Sequence, residues 1–542
     1  MKKIFKNNFF TLLFFLVVSF LLYWRLKDHF YEQDEWWGLG LIFSKGISSV
    51  CRNGLINCFL FGSGRPVAAL INYIFYSQFA FNIVPIAFTS IILHGVVAYL
   101  IYLFLGEINK NRLTNFFAAL FFIVNSSSTQ AVSWFSSQAV LLSTLFFLLT
   151  LIFYFRFLSR EGKKYLLFSY VTYYLSFITK EMIIMFSFLM IYLYYHFRDK
   201  DLKKNFVVNL PFISISLFAF LRYLLNYFIK SEQIGNIINS SSVGVLGILF
   251  NFIKIPLLSF VQIIISQEQM FWLSKKLSLF IFNVDKGDLF LQSTFSTVLV
   301  VLFSTILLLV AIKLLVKNKI LIKNLVIGIL IYILGVLPYA VIVQRGTSYL
   351  ESRYYYLSTI GLSVVFVSIA WGKIVEDKRF KKMLCIFLFC LYTVWQITFI
   401  EKNINTKLGM SSVRKIIVSQ LDSIDLKRSK KNVFFIDSDI SFFGQKLPFQ
   451  QGIGHMLMVI FYKQGVIAEE MLSSKKLLQI NSQGYLEYED YLFGYYEDEN
   501  LLKKDLDEKH FSVNDLKALK WDENDLKFID ISDKIASSIN NE

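Results

Sequence analysis

Long runs of apolar residues alternate with short charged stretches through the first 400 of the 542 residues. A helix that crosses a membrane needs about 20 apolar residues, and fewer where the bilayer is thin. Eleven runs fit this requirement, and they lie at residues 9–24, 82–105, 113–125, 138–157, 165–178, 182–197, 206–229, 290–312, 321–343, 354–371 and 383–400. The pattern predicts an all-α polytopic membrane protein with about 11 transmembrane helices.

Lysine and arginine residues collect in every second connection between these runs, as they do in the cytoplasmic loops of membrane proteins. The basic connections are residues 110–112, 156–164, 198–204, 313–323 and 373–382. The first run follows three lysines and has no small-residue cleavage site after it, which is typical of an uncleaved signal anchor. We therefore expect a multi-pass plasma-membrane protein with a cytoplasmic amino terminus and an extracytoplasmic carboxyl terminus.

A further apolar stretch at residues 244–266 is long enough to cross the membrane. Counting it as a crossing would invert every later loop and place the basic residues 313–323 outside. Lys254 and Pro256 also interrupt its middle. These features favour a helix that lies in the outer interface or re-enters partway.

The chain after residue 400 has the composition of a small soluble α/β unit. It contains a strand-like stretch from Asn432 to Asp437 and a helix-like stretch that begins at Gln450. The acidic end, residues 487–542, is either a solvated face of this unit or a partly ordered tail. We therefore predict two domains, a transmembrane domain at 1–400 and an extracytoplasmic soluble domain at 401–542.

Composition narrows the possible functions. Hydrophobic residues make up 55% of the chain, which is more than one soluble core can bury. The net charge of +16 is carried by the membrane part, where basic residues set topology, and the sequence has no nucleic-acid-binding motif.

No histidine or cysteine cluster has the spacing of a metal site, so no metal is expected. Cys51 and Cys58 could form a disulfide if their loop faces an oxidising compartment.

Two adjacent acids follow the first apolar run, in the stretch Tyr31-Glu-Gln-Asp-Glu-Trp-Trp37. We expect Asp34 and Glu35 to lie in the first extracytoplasmic loop, where a carboxylate could accept the proton of a substrate hydroxyl as a general base. Acidic pairs are also common on solvated surfaces. The dipeptide alone leaves both interpretations open.

Other ionisable residues lie at the expected outer ends of the runs, and the positive-inside rule does not explain them. They are Arg65, Lys180, Glu181, Arg222, Glu351 and Arg353. Charges at membrane depth usually face a protein interior or an aqueous cavity, and arginine pairs with phosphate through charge-assisted contacts. The pattern predicts an anion site. The alternatives are snorkelling of a single arginine to lipid head groups and mutual neutralisation of Lys180 and Glu181.

Two features with less charge accompany these residues. His94 is expected near the middle of the membrane, where a neutral, hydrogen-bonded imidazole is the simplest interpretation. The loop from Asn125 to Trp134 carries hydroxyls and amides that suit either a polar cavity or the cap of the next helix.

These residues, in this order, resemble the membrane-embedded glycosyltransferases with the GT-C fold, specifically the protein O-mannosyltransferase branch and its bacterial relatives. The motifs that carry the resemblance are Asp34-Glu35, Gly64-Arg65-Pro66, Leu93-His94, the loop before Trp134, Thr179-Lys180-Glu181 and Glu351-Ser-Arg-Tyr-Tyr-Tyr-Leu-Ser358. The resemblance covers residues 1–400. The chain departs from it at Asn125-Ser126, Gln130 and Gln138, where relatives have His-Pro, a glutamate and an arginine, and at Ser352, which separates Glu351 from Arg353.

The resemblance implies an inverting hexosyltransferase of the mannosyltransferase kind. Such an enzyme moves a sugar from a polyprenyl-phosphate carrier to a hydroxyl of a protein, lipid or envelope glycan at the outer membrane face, without a metal. Asp34 would be the general base, and Glu35 would position the acceptor or tune that base. The residues that would hold the donor phosphate are Arg353, Arg222, Lys180 and Arg65, with support from Glu181, Glu351, Tyr354, Gln130, Trp134 and His94. A transporter or lipid flippase and a non-catalytic cell-envelope assembly protein are the alternatives.

Overall fold

The structure, a computed structural model, describes most of the chain. The described residues are 8–51, 54–61, 64–109, 111–160, 162–229, 245–265, 319–341, 350–373, 379–422, 430–439, 441–442, 445–446, 453–478, 483–508 and 510–540, with single positions or pairs between 276 and 310. Some side chains within the described helices, including those of 222–229 and 366–373, are outside this description.

The described part is mostly helical, as the apolar runs predict. Its helices are α1 (Asn8–Tyr23), α2 (Asp34–Lys45), α3 (Leu55–Phe61), α4 (Pro66–Phe79), α5 (Val84–Ile108), α6 (Arg112–Ile123), α7 (Thr129–Ser133), α8 (Gln138–Arg160), α9 (Lys163–Thr179), α10 (Ser187–Phe197), α11 (Leu202–Ile229), α12 (Val245–Ile264), α13 (Lys319–Val336), α14 (Tyr356–Lys373), α15 (Arg379–Asp422), α16 (Ile453–Tyr462), α17 (Glu499–Asp507) and α18 (Ser532–Asn540). The strands are β1 (Lys431–Ser438), β2 (Ser441–Phe442), β3 (Gln445–Lys446), β4 (Gly484–Tyr488), β5 (Tyr491–Tyr496), β6 (Leu516–Asp522) and β7 (Lys527–Asp530).

Four stretches of helix in the described part are long and apolar enough to cross a membrane. They are Asn8–Asp28, Val84–Ile108, Phe135–Ser159 and Leu202–Leu221. A fifth is possible if Arg112–Ile123 and Ser126–Ser133, which are bent by 52° at the break between them, form one span. The predicted run 290–312 lies largely outside the described residues, and Glu181–Phe197 and Asn324–Ala340 are shorter apolar helices. By length and composition, the described part therefore provides four or five candidate spans, and the total of about eleven stays a prediction.

The chain divides into two compact units. The first contains Met1–Trp24, Asn53–Ala68 and Thr89–Asn403, and the second contains Arg25–Arg52, Ala69–Phe88 and Ile404–Glu542. The end of the first unit at Asn403 is close to the predicted boundary at residue 400. The second unit also takes in the segment that carries Asp34 and Glu35, which the prediction had placed with the membrane domain.

Close helix packing in the first unit depends on glycine. A Cβ atom on Gly361 of α14 would lie 2.4 Å from the carbonyl oxygen of Gly328 and 2.4 Å from the backbone nitrogen of Tyr332, both in α13. Only the absence of a side chain lets the two backbones approach so closely, which is a common device in helix pairs within membranes.

The second unit contains a five-stranded sheet in the order β4-β5-β1-β6-β7. The central strand β1 pairs in parallel with β5 and β6, whereas β4 and β7 pair antiparallel at the edges. Both faces of β1 are covered, because Val433 and Phe435 pack in one core with α17 and Phe434 stacks on Phe461 of α16. Coverage on both faces explains the continuous apolar run in this strand. The predicted α/β unit is present, and the acidic end forms strands and helices in it.

Candidate functional site

Arg65 and Glu181 form a two-pronged ion pair in the first unit. Arg65 Nε lies 3.0 Å from Glu181 Oε2, and Nη2 lies 2.6 Å from Oε1. Arg65 has a φ of +55° in front of Pro66, a backbone conformation that costs a non-glycine residue on the order of 1 kcal/mol or more. Burial tends to raise the pKa of Glu181, but the adjacent guanidinium, with a smaller effect from Lys180, lowers it to about 2. The pair is therefore ionised at neutral pH.

Arg353 is held by several neighbours at once. Its Nε lies 2.6 Å from Oε2 of Glu351, and its guanidinium lies 3.7 Å from the ring centroid of Trp134. Nη2 donates a hydrogen bond to the hydroxyl of Tyr354 at 3.2 Å, and the backbone N–H donates to Oε1 of Gln130 at 3.2 Å. Carboxylate and aromatic contacts together fix the plane of the guanidinium.

Lys180 directly precedes Glu181 in the chain and interacts electrostatically with both ion pairs. Its side chain is 8% exposed, and Nζ has no hydrogen bond or ion pair with any residue in the described part. Burial, reinforced by the charges of Arg65 and Arg353 and opposed by those of Glu181 and Glu351, lowers its pKa to about 7. We name Arg65, Lys180, Glu181, Glu351 and Arg353 the charge cluster. Each glutamate already has an arginine partner, so the cluster has one positive charge in excess when Lys180 is protonated.

The charge cluster brings together five predicted site residues, with Gln130, Trp134 and Tyr354 around Arg353. One neighbour was missed by the sequence argument. Tyr339 stacks on Tyr354 with ring centroids 4.5 Å apart, and its buried hydroxyl has no hydrogen-bond partner in the described part. A tyrosine at the end of an apolar run gives no sequence signal that separates it from a core residue.

Three other residues were also selected from the sequence, namely His94, Asn125 and Arg222. His94 is fully buried, and its Nδ1 lies 2.8 Å from the hydroxyl of Tyr356 while Nε2 lies 3.3 Å from the carbonyl of Ile123, so it is a hydrogen-bonded histidine inside the helix packing. Oδ1 of Asn125 accepts a hydrogen bond from the backbone N–H of Ser127 at 2.9 Å, a capping contact of the kind that was one of the two alternatives for this loop. Arg222 lies in α11, and its side chain is outside the described residues.

The acid pair lies in the second unit, at the start of α2. Asp34 is half-buried and Glu35 is 1% exposed. Glu35 Oε2 accepts the backbone N–H of Glu32 at 2.8 Å, which ties the carboxylate to its own turn. Burial raises the pKa of the Tyr76 hydroxyl well above 10, and the charges of Glu35 and Asp34 add to this effect. Glu35 is therefore a buried carboxylate close to Tyr76, and the solvated-surface alternative does not apply to it.

Glu32, two residues before Asp34, is the acid that the sequence argument missed. Its carboxylate lies 2.8 Å from Nζ of Lys407 and 3.3 Å from Nη1 of Arg414, both in α15. Burial tends to raise the pKa of Glu32, but Lys407, His29 and Arg414 lower it to about 2. His29 is fully buried with Nδ1 2.7 Å from Oγ of Ser411, and burial lowers its pKa to about 3. Glu32 is therefore a charged structural link, and His29 is neutral.

Two further expectations concern the cysteine pair Cys51 and Cys58 and the apolar stretch 244–266. Cys51 and Cys58 are both disulfide-bonded. Helix α12 (Val245–Ile264) lies within the predicted stretch 244–266, and its partial entry into the membrane stays a prediction. Among the described residues, no group of three or more histidine, cysteine, aspartate or glutamate side chains could hold a metal ion.

The chain matches no protein-family model and no curated protein sequence.

Proposed function

We propose that this protein is a multi-pass plasma-membrane glycosyltransferase of the GT-C kind, with about 11 spans. It would transfer a hexose from a polyprenyl-phosphate carrier to an acceptor hydroxyl at the outer face, with inversion at the anomeric carbon. The amino terminus would be cytoplasmic and the carboxyl-terminal domain extracytoplasmic. The acceptor would be a protein, a lipid or an envelope glycan.

The observation that carries this proposal is the ammonium of Lys180, on a largely buried side chain whose Nζ has no ion pair or hydrogen bond with any described residue. A buried charge without a partner is costly, and such groups concentrate where a ligand supplies the missing charge. Two arginines flank this lysine, and both are held in place by glutamates before any ligand arrives. A preorganised cationic site of this kind suits a phosphate whose negative charge grows as the glycosyl bond breaks.

In this proposal the phosphate of the lipid carrier is held by Lys180, Arg353 and Arg65. Glu181 and Glu351 keep the arginines aligned, and Trp134 supports Arg353 through its ring face. Arg222 is assigned to the same phosphate from the sequence alone. Asp34 removes the proton of the acceptor hydroxyl, and Glu35 holds the turn that carries Asp34.

The carbon–oxygen bond that forms joins the acceptor oxygen to the anomeric carbon, and the bond that breaks joins the anomeric carbon to the phosphate oxygen. The acceptor proton goes to Asp34, and the released polyprenyl phosphate leaves as a dianion at the charge cluster. Neither step uses a metal ion. The positive excess at Lys180 offsets the charge that accumulates on the leaving group.

A comparison of sugar donors tests the reaction class. Membranes that contain the protein would be incubated with an acceptor extract and one radiolabelled donor, either a polyprenyl-phosphate hexose or the matching nucleotide hexose. The proposal expects incorporation from the lipid-linked donor only, and expects it to be lost in Lys180→Met membranes. Equal incorporation from the nucleotide sugar in membranes depleted of polyprenyl phosphate would contradict the proposal. Mass spectrometry of envelope glycans from cells lacking the protein would identify the acceptor.

A further inference from the structure

The segment that carries the acid pair is built into the carboxyl-terminal part of the second unit. Residues 25–45, which we name the acid-bearing segment, contact residues from 404 onward at several points. The backbone N–H of Phe30 donates to Oγ of Ser411 at 3.2 Å, and Nζ of Lys415 donates to the carbonyl of Asp28 at 2.8 Å. These contacts fix the backbone just before the acids to α15.

Glu32 provides a charged link to the same helix. It is 12% exposed at the side chain, and the side chain of Arg414 is 7% exposed, so the ion pair is screened little by water. Removing one partner of a buried ion pair leaves the other charge uncompensated, which is strongly destabilising at that point. Glu32 lies two residues before Asp34. Loss of its ion pairs would therefore increase the mobility of the backbone at the start of α2.

Helix α2 is anchored at its other end by close packing. A Cβ atom on Gly40 would lie 3.2 Å from Cγ2 of Val459 in α16 and 3.3 Å from the carbonyl oxygen of Leu472. Nearby, Nζ of Lys475 lies 4.0 Å from the ring centroid of Trp37, and Phe43 stacks with Tyr462 at 6.3 Å. Glycine at position 40 therefore sets how closely α2 approaches the carboxyl-terminal domain.

We infer that residues 404–542 are the scaffold that positions Asp34, and that Glu32 and Gly40 are the positioning residues through which they act. The inference rests on the proposed role of Asp34 as the general base, and it gives the carboxyl-terminal domain a part in catalysis. A reacting group displaced by about 1 Å can lose about 10²-fold in rate. A fixed turn with a half-buried carboxylate needs support on both sides, and the ion pair and the glycine contact provide it.

The test uses full-length protein in lipid nanodiscs with two variants, Glu32→Gln and Gly40→Val. Asp490→Asn is the matched control, because it breaks an exposed ion pair with Lys430, at 3.2 Å, in the same domain. Hydrogen–deuterium exchange over residues 28–45 reports the position of the segment without reference to activity. Transfer kinetics with a polyprenyl-phosphate hexose then separate kcat from KM.

The inference expects exchange over residues 28–45 to become about 10-fold faster or more in both variants and to stay unchanged in the control. It also expects kcat to fall by about 10²-fold with the KM for the lipid donor unchanged, and Glu32→Asp to recover part of the loss. Unchanged exchange in both variants would overturn the scaffold. Faster exchange with normal kcat would overturn its catalytic role. Absence of transfer by the wild-type protein would instead reject the proposed function, so the two failures are distinguishable.

Discussion

Replacing Lys180 with methionine should make the protein more stable at pH 6 while it removes the binding of a phosphate-bearing lipid. Burial lowers the pKa of this lysine from 10.5 to about 7, and the described part offers Nζ no ion pair. Since a change of one in pKa corresponds to about 1.4 kcal/mol, charging Lys180 in the empty site costs on the order of 5 kcal/mol relative to water. Methionine has a similar length and no charge to desolvate, so part of that cost is recovered in the folded state.

The pH dependence has a defined sign. The folded-state pKa is below the unfolded value, so between pH 7 and pH 10.5 the unfolded chain binds more protons at this residue than the folded protein does. The free energy of unfolding of the wild type therefore rises with pH across this window. Below pH 7 both states are protonated and the full cost remains. The stability gained by Lys180→Met should be largest at pH 6 and should shrink toward pH 10.

Thermal unfolding in detergent at pH 6, 7.5 and 9 measures this difference. Lys203→Met is the control, because Lys203 is an exposed lysine whose replacement should change the unfolding free energy by no more than about 0.5 kcal/mol. A short-chain isoprenyl phosphate should raise the midpoint of the wild type at pH 6, raise it less at pH 9, and leave the variant unchanged. A Lys180→Met protein that is less stable than the wild type at pH 6 would refute the claim that the lysine is buried without a partner.

Three further predictions concern the same unit. Glu181→Gln should remove about 1 kcal/mol of stability above pH 4.5. Because the folded-state pKa of Glu181 is about 2, the wild-type advantage should disappear as the pH falls toward 2, which thermal unfolding between pH 2 and 7 can show. Gly361→Ala should cost about 1–3 kcal/mol or more through overpacking, whereas Gly106→Ala, where the nearest atom lies 4.0 Å from the new Cβ, should be tolerated in the same unfolding assay. Trp134→Leu should weaken the binding of isoprenyl phosphate by about 2- to 30-fold through loss of the contact with Arg353, measured by titration, and Trp134→Phe should recover part of it.

The residues of the charge cluster could be chosen from sequence because charge at membrane depth is rare and each such residue is informative. The sequence could not predict which of these residues form ion pairs with each other. Arg65 and Glu181 are 116 positions apart, and nothing in the sequence indicates that they form the pair rather than Lys180 and Glu181. Once both glutamates are assigned to arginines, Lys180 becomes the residue without a partner.

In the acid-bearing segment, the ion-pair partners were even harder to predict from the sequence. Glu32 belongs to the motif that was noticed, but its partner Lys407 lies 375 positions later, near the start of the predicted extracytoplasmic domain. The strand β1 was predicted because its apolar run is continuous, whereas β5 and β6 were not, since their polar and aromatic residues give no clear period. Pairing between distant strands determines the sheet, and ion pairs between distant residues determine where the acids lie. The local sequence pattern does not encode either.

One measurement tests the central claim most directly. Purified protein in nanodiscs would be given a synthetic polyprenyl-phosphate hexose and its acceptor, and the release of polyprenyl phosphate would be followed for the wild type, Asp34→Asn and Lys180→Met. We predict release by the wild type, with the opposite anomeric configuration in the product, a loss of about 10²- to 10⁴-fold in Asp34→Asn, and loss of donor binding in Lys180→Met. Unchanged release by Asp34→Asn, or no release by the wild type with any lipid-linked hexose and acceptor, would contradict the account.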